Sequence, residues 1–366
     1  MKHPDRGPEG LGLSACCMTD GITPDFREVR RVLVVKLRHL GDVLLTTPVY
    51  RAIKKACPNA EITACVFKGT EEMLGHNPNV KHCMTVPKSR AFEQIRQQGK
   101  FLANLRRAQF DLVIDFTGSD RAAILTGLTG ARLRWGPARK KGFLGKKLCY
   151  TRTVPFPRNV HVVEQQKSFL HAFGIEDEKP ELFFFVSGEN RRAVEKLVGS
   201  EMDLVHVHPV SRIMKKCWPA PFMAAFLNSL GRRGLKPVLT ASPDPIELNF
   251  IKELVSLLEV PHLNLSGKLS LGELGALSEG SRFFVGVDSA PMHIAAAVGT
   301  PVIGIFGPSS ETLWAPWCER KLVLSRELPC RLPCKNKRSC PHIECLRAMT
   351  PEMVMPQVNR FLSTIL

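Results

Sequence analysis

The sequence predicts an α/β protein of two Rossmann-like halves, each a doubly wound parallel sheet, facing each other across a cleft. Three observations predict it. Short β-branched apolar runs alternate with stretches of helical length. The alternation restarts past residue 200 with no repeat of the sequence itself. A chain of 366 residues holds two domains of ordinary size, each with its own core.

Taken in order, residues 1–29 are rich in Gly, Pro and charge, lack sustained periodicity, and read as a loose extension. RVLVVKL, 31–37, is a first strand, followed by the turn residue Gly41 and a helix starting near Asp42 and ending before Pro58. EITACVF, 61–67, and DLVIDF, 111–116, are further strands. In the second half LVHVHP (204–209), PVLT (237–240), FFVGV (283–287) and PVIGIF (301–306) read as strands, with a helix over 221–232. A short helix joins the last two. The division is then 30–180 and 181–350, joined near 178–190, plus a closing helix over 351–366 expected to pack back on the N-terminal half.

Composition narrows the function. Hydrophobic residues at 44% and charged residues at 23% describe a globular chain. No apolar run is long enough to cross a bilayer, and the start lacks the basic, apolar and small-residue order of a signal peptide, so the cytoplasm is expected. Lys and Arg number 51 against 34 acids, a net charge of +17, and such a field concentrates anions. Nucleic acid is not the expected partner: no helix-turn-helix or zinc finger is legible, and two Tyr and four Trp make a poor stacking platform. The 12 cysteines mostly sit singly in apolar patterns, as Cys65 and Cys149 do, and read as reduced thiols.

Four segments carry chemistry. In GVDSAPMHIAAAVGTP, 286–301, a buried strand delivers Asp288, Ser289 and Ala290 to its end and Pro291 opens a helix. Backbone N–H groups at a helix start suit a phosphate or diphosphate, and His293 in the first turn can donate to it. A plain turn with Asp288 as helix cap fits equally. In Lys36-Leu-Arg38-His39-Leu-Gly-Asp42 a carboxylate stands at a helix start, either as a cap or as a base facing the cleft. A helix N-terminus favours carboxylate and so weakens a base, yet transfer within the transition state remains open to it. Lys36, Arg38 and His39 suit an anionic acceptor. Ser211, Arg212 and Lys216 follow the first strand of the second half, as an exposed basic loop or as cations for a leaving diphosphate. Glu247 suits a ribose hydroxyl or is an ordinary surface glutamate. Finally, Cys330, Cys334, Cys340 and Cys345, with His342 among them, lack paired C-x2-C spacing, so a structural zinc is open but not favoured.

Together these segments resemble the ADP-heptose:lipopolysaccharide heptosyltransferases, the ninth glycosyltransferase family. The motifs are VLVVKL-x3-GDVLLTTP (32–48), SR-x3-K-x-WP (211–219), SGK-x-SL-x-EL (266–274) and VGVDSAPMHIAAA-x-GTP running to FGPS (285–309). Four motifs in order, each at an expected strand end, cover about 31–360; within the family the branch adding the third, side-branch heptose is most similar. The resemblance implies a GT-B fold, with an N-terminal acceptor domain and a C-terminal domain for ADP-heptose. It implies an inverting displacement without metal or cofactor, with Asp42 as base and Lys216 near the donor phosphates. Asp288, Ser289 and His293 would surround the diphosphate and heptose, and Glu247 would fall near the ribose. The implied acceptor is the anionic inner core of lipopolysaccharide, met peripherally at the cytoplasmic face of the inner membrane. Residues 1–29 depart from the family pattern, and Met18 is an alternative start. Two other readings stand beside this one: a related transferase for another nucleotide sugar, and a non-catalytic basic binding protein whose affinity is indifferent to ADP.

Overall fold

The β-branched runs become strands buried on both faces, as parallel sheets between helix layers require. The structure, a computed structural model, describes residues 25–87, 93–138, 142–328, 330, 340 and 342–366. The N-terminal unit runs β1 (Arg31–Lys36), α1 (Leu40–Leu44), α2 (Thr47–Ala56), β2 (Glu61–Phe67), β3 (His82–Val86), α3 (Glu93–Arg107), β4 (Leu112–Asp115), α4 (Asp120–Leu128), β5 (Leu133–Pro137), β6 (Arg152–Val154) and α5 (Val162–His171). Its strands lie in the order β3-β2-β1-β4-β5-β6, all parallel, with Val32 opposite both Ile62 and Leu112.

The C-terminal unit runs α6 (Gly188–Val198), β7 (Leu204–His208), α7 (Ala220–Gly231), β8 (Lys236–Leu239), α8 (Pro245–Ser256), β9 (Leu263–Asn264), α9 (Leu271–Glu279), β10 (Phe283–Val287), α10 (Ala290–Ala297), β11 (Val302–Phe306), α11 (Glu311–Trp314), β12 (Lys321–Ser325), α12 (Glu344–Arg347) and α13 (Pro351–Ile365). The strand order β12-β11-β10-β7-β8-β9 repeats that of the first sheet, again all parallel. The winding direction reverses between β1 and β4 and between β7 and β10. Loops diverge at such points and leave a crevice beyond the strand ends.

Two expectations change. The helix expected from Asp42 to Pro58 is two helices with a break at Leu45–Thr46. Pro48 cannot donate to the Leu44 carbonyl, and the Thr46 and Thr47 hydroxyls take the carbonyls of Asp42 and Leu44 at 2.8 Å instead. The closing helix α13 packs on α7 and β12 rather than on the N-terminal unit. Its stripe of Val354, Val358 and Leu362 enters the C-terminal core, which supplies the apolar face it needs. Trp218 ties the preceding segment down by donating to the carbonyls of Leu346 and Met349. Among the described residues no helix is long and apolar enough to cross a membrane.

The units meet below the crevice. Leu40, Val43 and Leu44 of α1 share one apolar cluster with Ala290, Ile294 and Ala297 of α10. At one side His161, the N-cap of α5, takes the Val163 N–H on Nδ1, so Nε2 carries the proton given to the Ala315 carbonyl at 3.0 Å. Its ring stacks on Trp317, whose indole donates to Pro180 O. Burial, with the nearby His293, pushes His161 down to about 4.

Inside the C-terminal unit, Thr240 gives its hydroxyl proton to Val207 O and accepts from both His206 and His208. Ser278 completes the chain on His206 Nδ1 at 2.7 Å. Burial holds His208 at about 4 and His206 well below its usual value. These histidines are neutral when folded, whereas the unfolded chain protonates them near pH 6.5. Stability is therefore expected to fall as pH drops from about 6.5 towards 4, by up to ~1.4 kcal/mol per pH unit for each histidine. Urea midpoints at pH 7.5, 6 and 5 check this; a flat profile would mean that the histidines open to solvent.

Candidate functional site

The two reversal points face one another, and the sequence-singled residues collect there. β1 ends at Lys36, which is 5% exposed, and the chain then turns through Arg38 and His39 into α1. The backbone cap of α1 is His39, with no side-chain capping bond, and Asp42 is the third helical residue. The carboxylate is thus not spent on capping, and it lines a cavity of about 340 Å³. That cavity is walled by the basic loop and by Phe116 and Phe156 from the N-terminal unit, and by Leu313 and Trp314 from the C-terminal unit.

The loop carrying Asp42 is held by its neighbour after β4, which sequence reasoning overlooked. Asp115, fully buried, accepts the N–H groups of Thr117 and Gly118 and the Tyr150 hydroxyl at 2.6 Å. Burial raises its pKa, and these bonds oppose the rise. Thr117 Oγ1 then accepts the Leu37 N–H at 2.7 Å, and its carbonyl takes the Arg38 guanidinium at 3.5 Å. The signal was a polar residue pair closing the apolar run of β4.

Across the crevice, Lys216 ends a 3-10 turn (Met214–Lys216) and places Nζ 2.6 Å from Asp288 Oδ2. Both side chains are mostly buried, so the pair keeps much of its attraction. Asp288 is therefore not a helix cap. Ser289 holds the cap position of α10 without a side-chain bond, Ala290 is the first helical residue, and Pro291 follows. His293, 3% exposed, sits with Nε2 3.9 Å from Asp288 Oδ1. Burial lowers its pKa against the opposing pull of Asp288 and Asp42, so the ring is neutral and has one N–H to offer. Among the described residues Ser289 Oγ and His293 Nδ1 are buried without partners, an uncommon state that a ligand's polar atoms would end. A third such atom is Oε1 of Gln166, on the cavity wall, whose Nε2 donates to Leu45 O.

Arg212 reaches over the crevice to His39 Nε2 at 3.2 Å, and since guanidinium only donates, that nitrogen is unprotonated. Ser211 is buried and accepts the Ile213 N–H. Glu247 is no surface glutamate: at 6% exposure it accepts the N–H and hydroxyl of Ser242, fastening the loop after β8. Of the tail cysteines, Cys345 is buried in the C-terminal core, Cys330 is exposed, the Cys340 carbonyl accepts Lys215, and Cys334 lies outside the described residues. Among the described residues no three His, Cys, Asp or Glu side chains gather as metal ligands.

Residues 98–343 match the family described as glycosyltransferase family 9 (heptosyltransferase). The chain is 32% identical over 308 residues to lipopolysaccharide heptosyltransferase 3 of Escherichia coli, covering 81% of this chain and 90% of that protein. Lipopolysaccharide core heptosyltransferase OpsX of Haemophilus influenzae is 25% identical over 303 residues, 82% and 86% of the two chains. In fold, the glycosyl transferase family 9 crystal structure from Veillonella parvula superposes with a TM-score of 0.80 at 23% identity, over 93% of this chain and 99% of that one. Escherichia coli heptosyltransferase WaaC with ADP gives 0.72 at 20%, over 90% and 99%. The two units facing across a crevice are thus a GT-B fold.

One glycine decides how closely the two sides approach. A Cβ on Gly41 would lie 3.1 Å from His293 Cδ2 and 3.8 Å from Ala290 Cα. Gly41→Val is expected to lose roughly 1–3 kcal/mol by overpacking. His293→Ala in the same chain should return much of that loss, since the imidazole is what the new methyls meet. Urea midpoints of single and double variants measure the coupling; simple additivity would locate the strain elsewhere.

Proposed function

The chain belongs to glycosyltransferase family 9, the heptosyltransferases, and from that premise we propose that it moves heptose from ADP-heptose to a hydroxyl of the lipopolysaccharide inner core in one inverting, metal-independent displacement. The observation that carries this is the opposition of two unlike groups across one crevice. Asp42 is a carboxylate free of capping duty on a cavity wall, and beyond it lies the cationic, N–H-rich start of α10 with Lys216.

In this reading the acceptor enters the 340 Å³ cavity with its anionic groups towards Lys36, Arg38 and His39. Phe116, Phe156 and Trp314 hold the apolar faces of the sugar rings and exclude water. Asp42 takes the proton of the attacking hydroxyl as the bond to the anomeric carbon forms. The diphosphate leaves from the opposite face, which inverts that carbon. Its growing charge meets Lys216, the free N–H groups of α10, the Ser289 hydroxyl and the His293 N–H. Asp288 fixes where the Lys216 ammonium stands, and its N–H donors, with Arg212 and the N–H groups of α10, take the part a metal would otherwise take. Glu247, in the first turn of α8, is the candidate for the ribose hydroxyls, and Ser211 and Arg212 complete the donor wall. Attack by a hydroxyl of the lipopolysaccharide core takes place at the cytoplasmic face of the inner membrane.

Asp42→Ala is expected to lower transfer ~100-fold or more while ADP still raises the thermal midpoint. Lys216→Ala should weaken that protection by ADP. Mass and NMR analysis of product from ADP-heptose and defined truncated cores, with and without EDTA, checks the reaction. Undiminished turnover by Asp42→Ala removes that residue as base; retention of anomeric configuration or loss of rate in EDTA overturns the mechanism.

A further inference from the structure

The N-terminal unit carries an apolar surface on its outside that neither its core nor the crevice uses. Leu144 is 102% exposed and Leu148 82%, next to half-exposed Phe143. Ile124 and Leu128, one turn apart on the outer face of α4, add to them at 45% and 41%. α4 and the turn Lys146–Cys149 are in contact: a Cβ on Gly127 would lie 3.3 Å from Cys149 Sγ. Five large apolar side chains on one outer region are not a scatter of surface leucines.

The surroundings are cationic to an unusual degree. From 121 to 163 the chain has ten Lys and Arg and no Asp or Glu. Arg132, Lys147 and Arg158 among them are exposed. The apolar tip stands on a stiff base. Gly142 and Gly145 take positive φ of 148° and 88°, open to glycine but strained for other residues. Lys146, 8% exposed, is bonded to Gly118 O at 2.9 Å and to Asp120 at 2.8 Å. Tyr150 closes the other end on Asp115. These anchor points, Asp115 and Gly118, flank Phe116 and Thr117 of the cavity wall.

We propose that Phe143, Leu144 and Leu148, with Ile124 and Leu128, form the surface on which the protein docks to an anionic bilayer. The apolar tip enters the headgroup boundary, and the surrounding cations face lipid phosphates. A second copy of this chain is the poorer occupant, because it would set the same cations against themselves. The inference rests on the reading that the acceptor is lipid-anchored. Docking here holds the cavity wall at a fixed offset from the membrane, through Lys146 and Tyr150, where such an acceptor emerges.

The test is co-sedimentation of the full chain with vesicles of phosphatidylethanolamine and phosphatidylglycerol, and with phosphatidylcholine alone. Wild type should pellet with the anionic vesicles and be released by 1 M salt. Leu144→Ser with Leu148→Ser should cut binding at least about tenfold, and Lys147→Glu should cut it several-fold, both with unchanged thermal midpoint. Transfer to water-soluble, deacylated core should continue at the wild-type rate in these variants. The proposal falls if wild type ignores anionic vesicles, or if the double variant pellets as wild type does. It falls too if sedimentation velocity shows a dimer that the double variant dissolves, which would assign the face to a second copy. Leucine-dependent vesicle binding without heptose transfer to any core supports the docking surface and overturns the functional reading alone.

Discussion

The close approach of α1 to α10 governs the geometry of everything in the crevice. Gly41 has no side chain, so the imidazole of His293 comes within 3.1 Å of where a Cβ would lie, and Leu40, Val43 and Ile294 close an apolar seam beneath. Two parallel sheets of the same winding order would face each other in many ways. This seam selects one of them, in which the loop after β1 and the loop after β10 share a single space.

That space has an ordered polarity. Asp42 and Asp288 both favour a proton on His293, burial opposes it, and burial prevails, so the histidine stays neutral between two carboxylates. Lys216 answers Asp288 directly at 2.6 Å, while among the described residues Asp42 has no ion pair of its own. A charge-balanced donor side and an uncompensated carboxylate on the other side follow from where each loop ends. The neutral His161 and its stacked Trp317 tie the same two units together at the crevice edge, so the crevice is bounded by contacts that disfavour added protons.

The N-terminal unit also links its inner and outer surfaces through buried polar groups. Asp115 binds Thr117 inward and Tyr150 outward, and Lys146 binds the Gly118 carbonyl between them. A buried carboxylate with three donors is costly to disturb, because any lost bond leaves charge in a dry place. Buried polar bonds therefore join the cavity wall to the exposed loop 142–148.

Much of this was legible in the sequence. Runs such as Val32–Val35 and Phe283–Val287 can only be central parallel strands, because so many β-branched and aromatic side chains in a row need burial on both faces. The family motifs fell on the ends of β1, β7 and β10, which is why Asp42, Lys216, Asp288 and His293 were named from spacing and resemblance. Short edge strands such as β6 and β9 were not legible, since two or three half-exposed residues carry no periodicity. The sequence alone thus determined two Rossmann-like halves and the residues at their strand ends. Only the tertiary structure decided that Asp42 is not a cap, that Glu247 is buried, that α13 stays with its own unit, and that Thr117 and Gln166 belong to the cavity. Each of those depends on which distant backbone group lies within hydrogen-bond reach or which apolar face lies opposite, and no local pattern encodes such a distance.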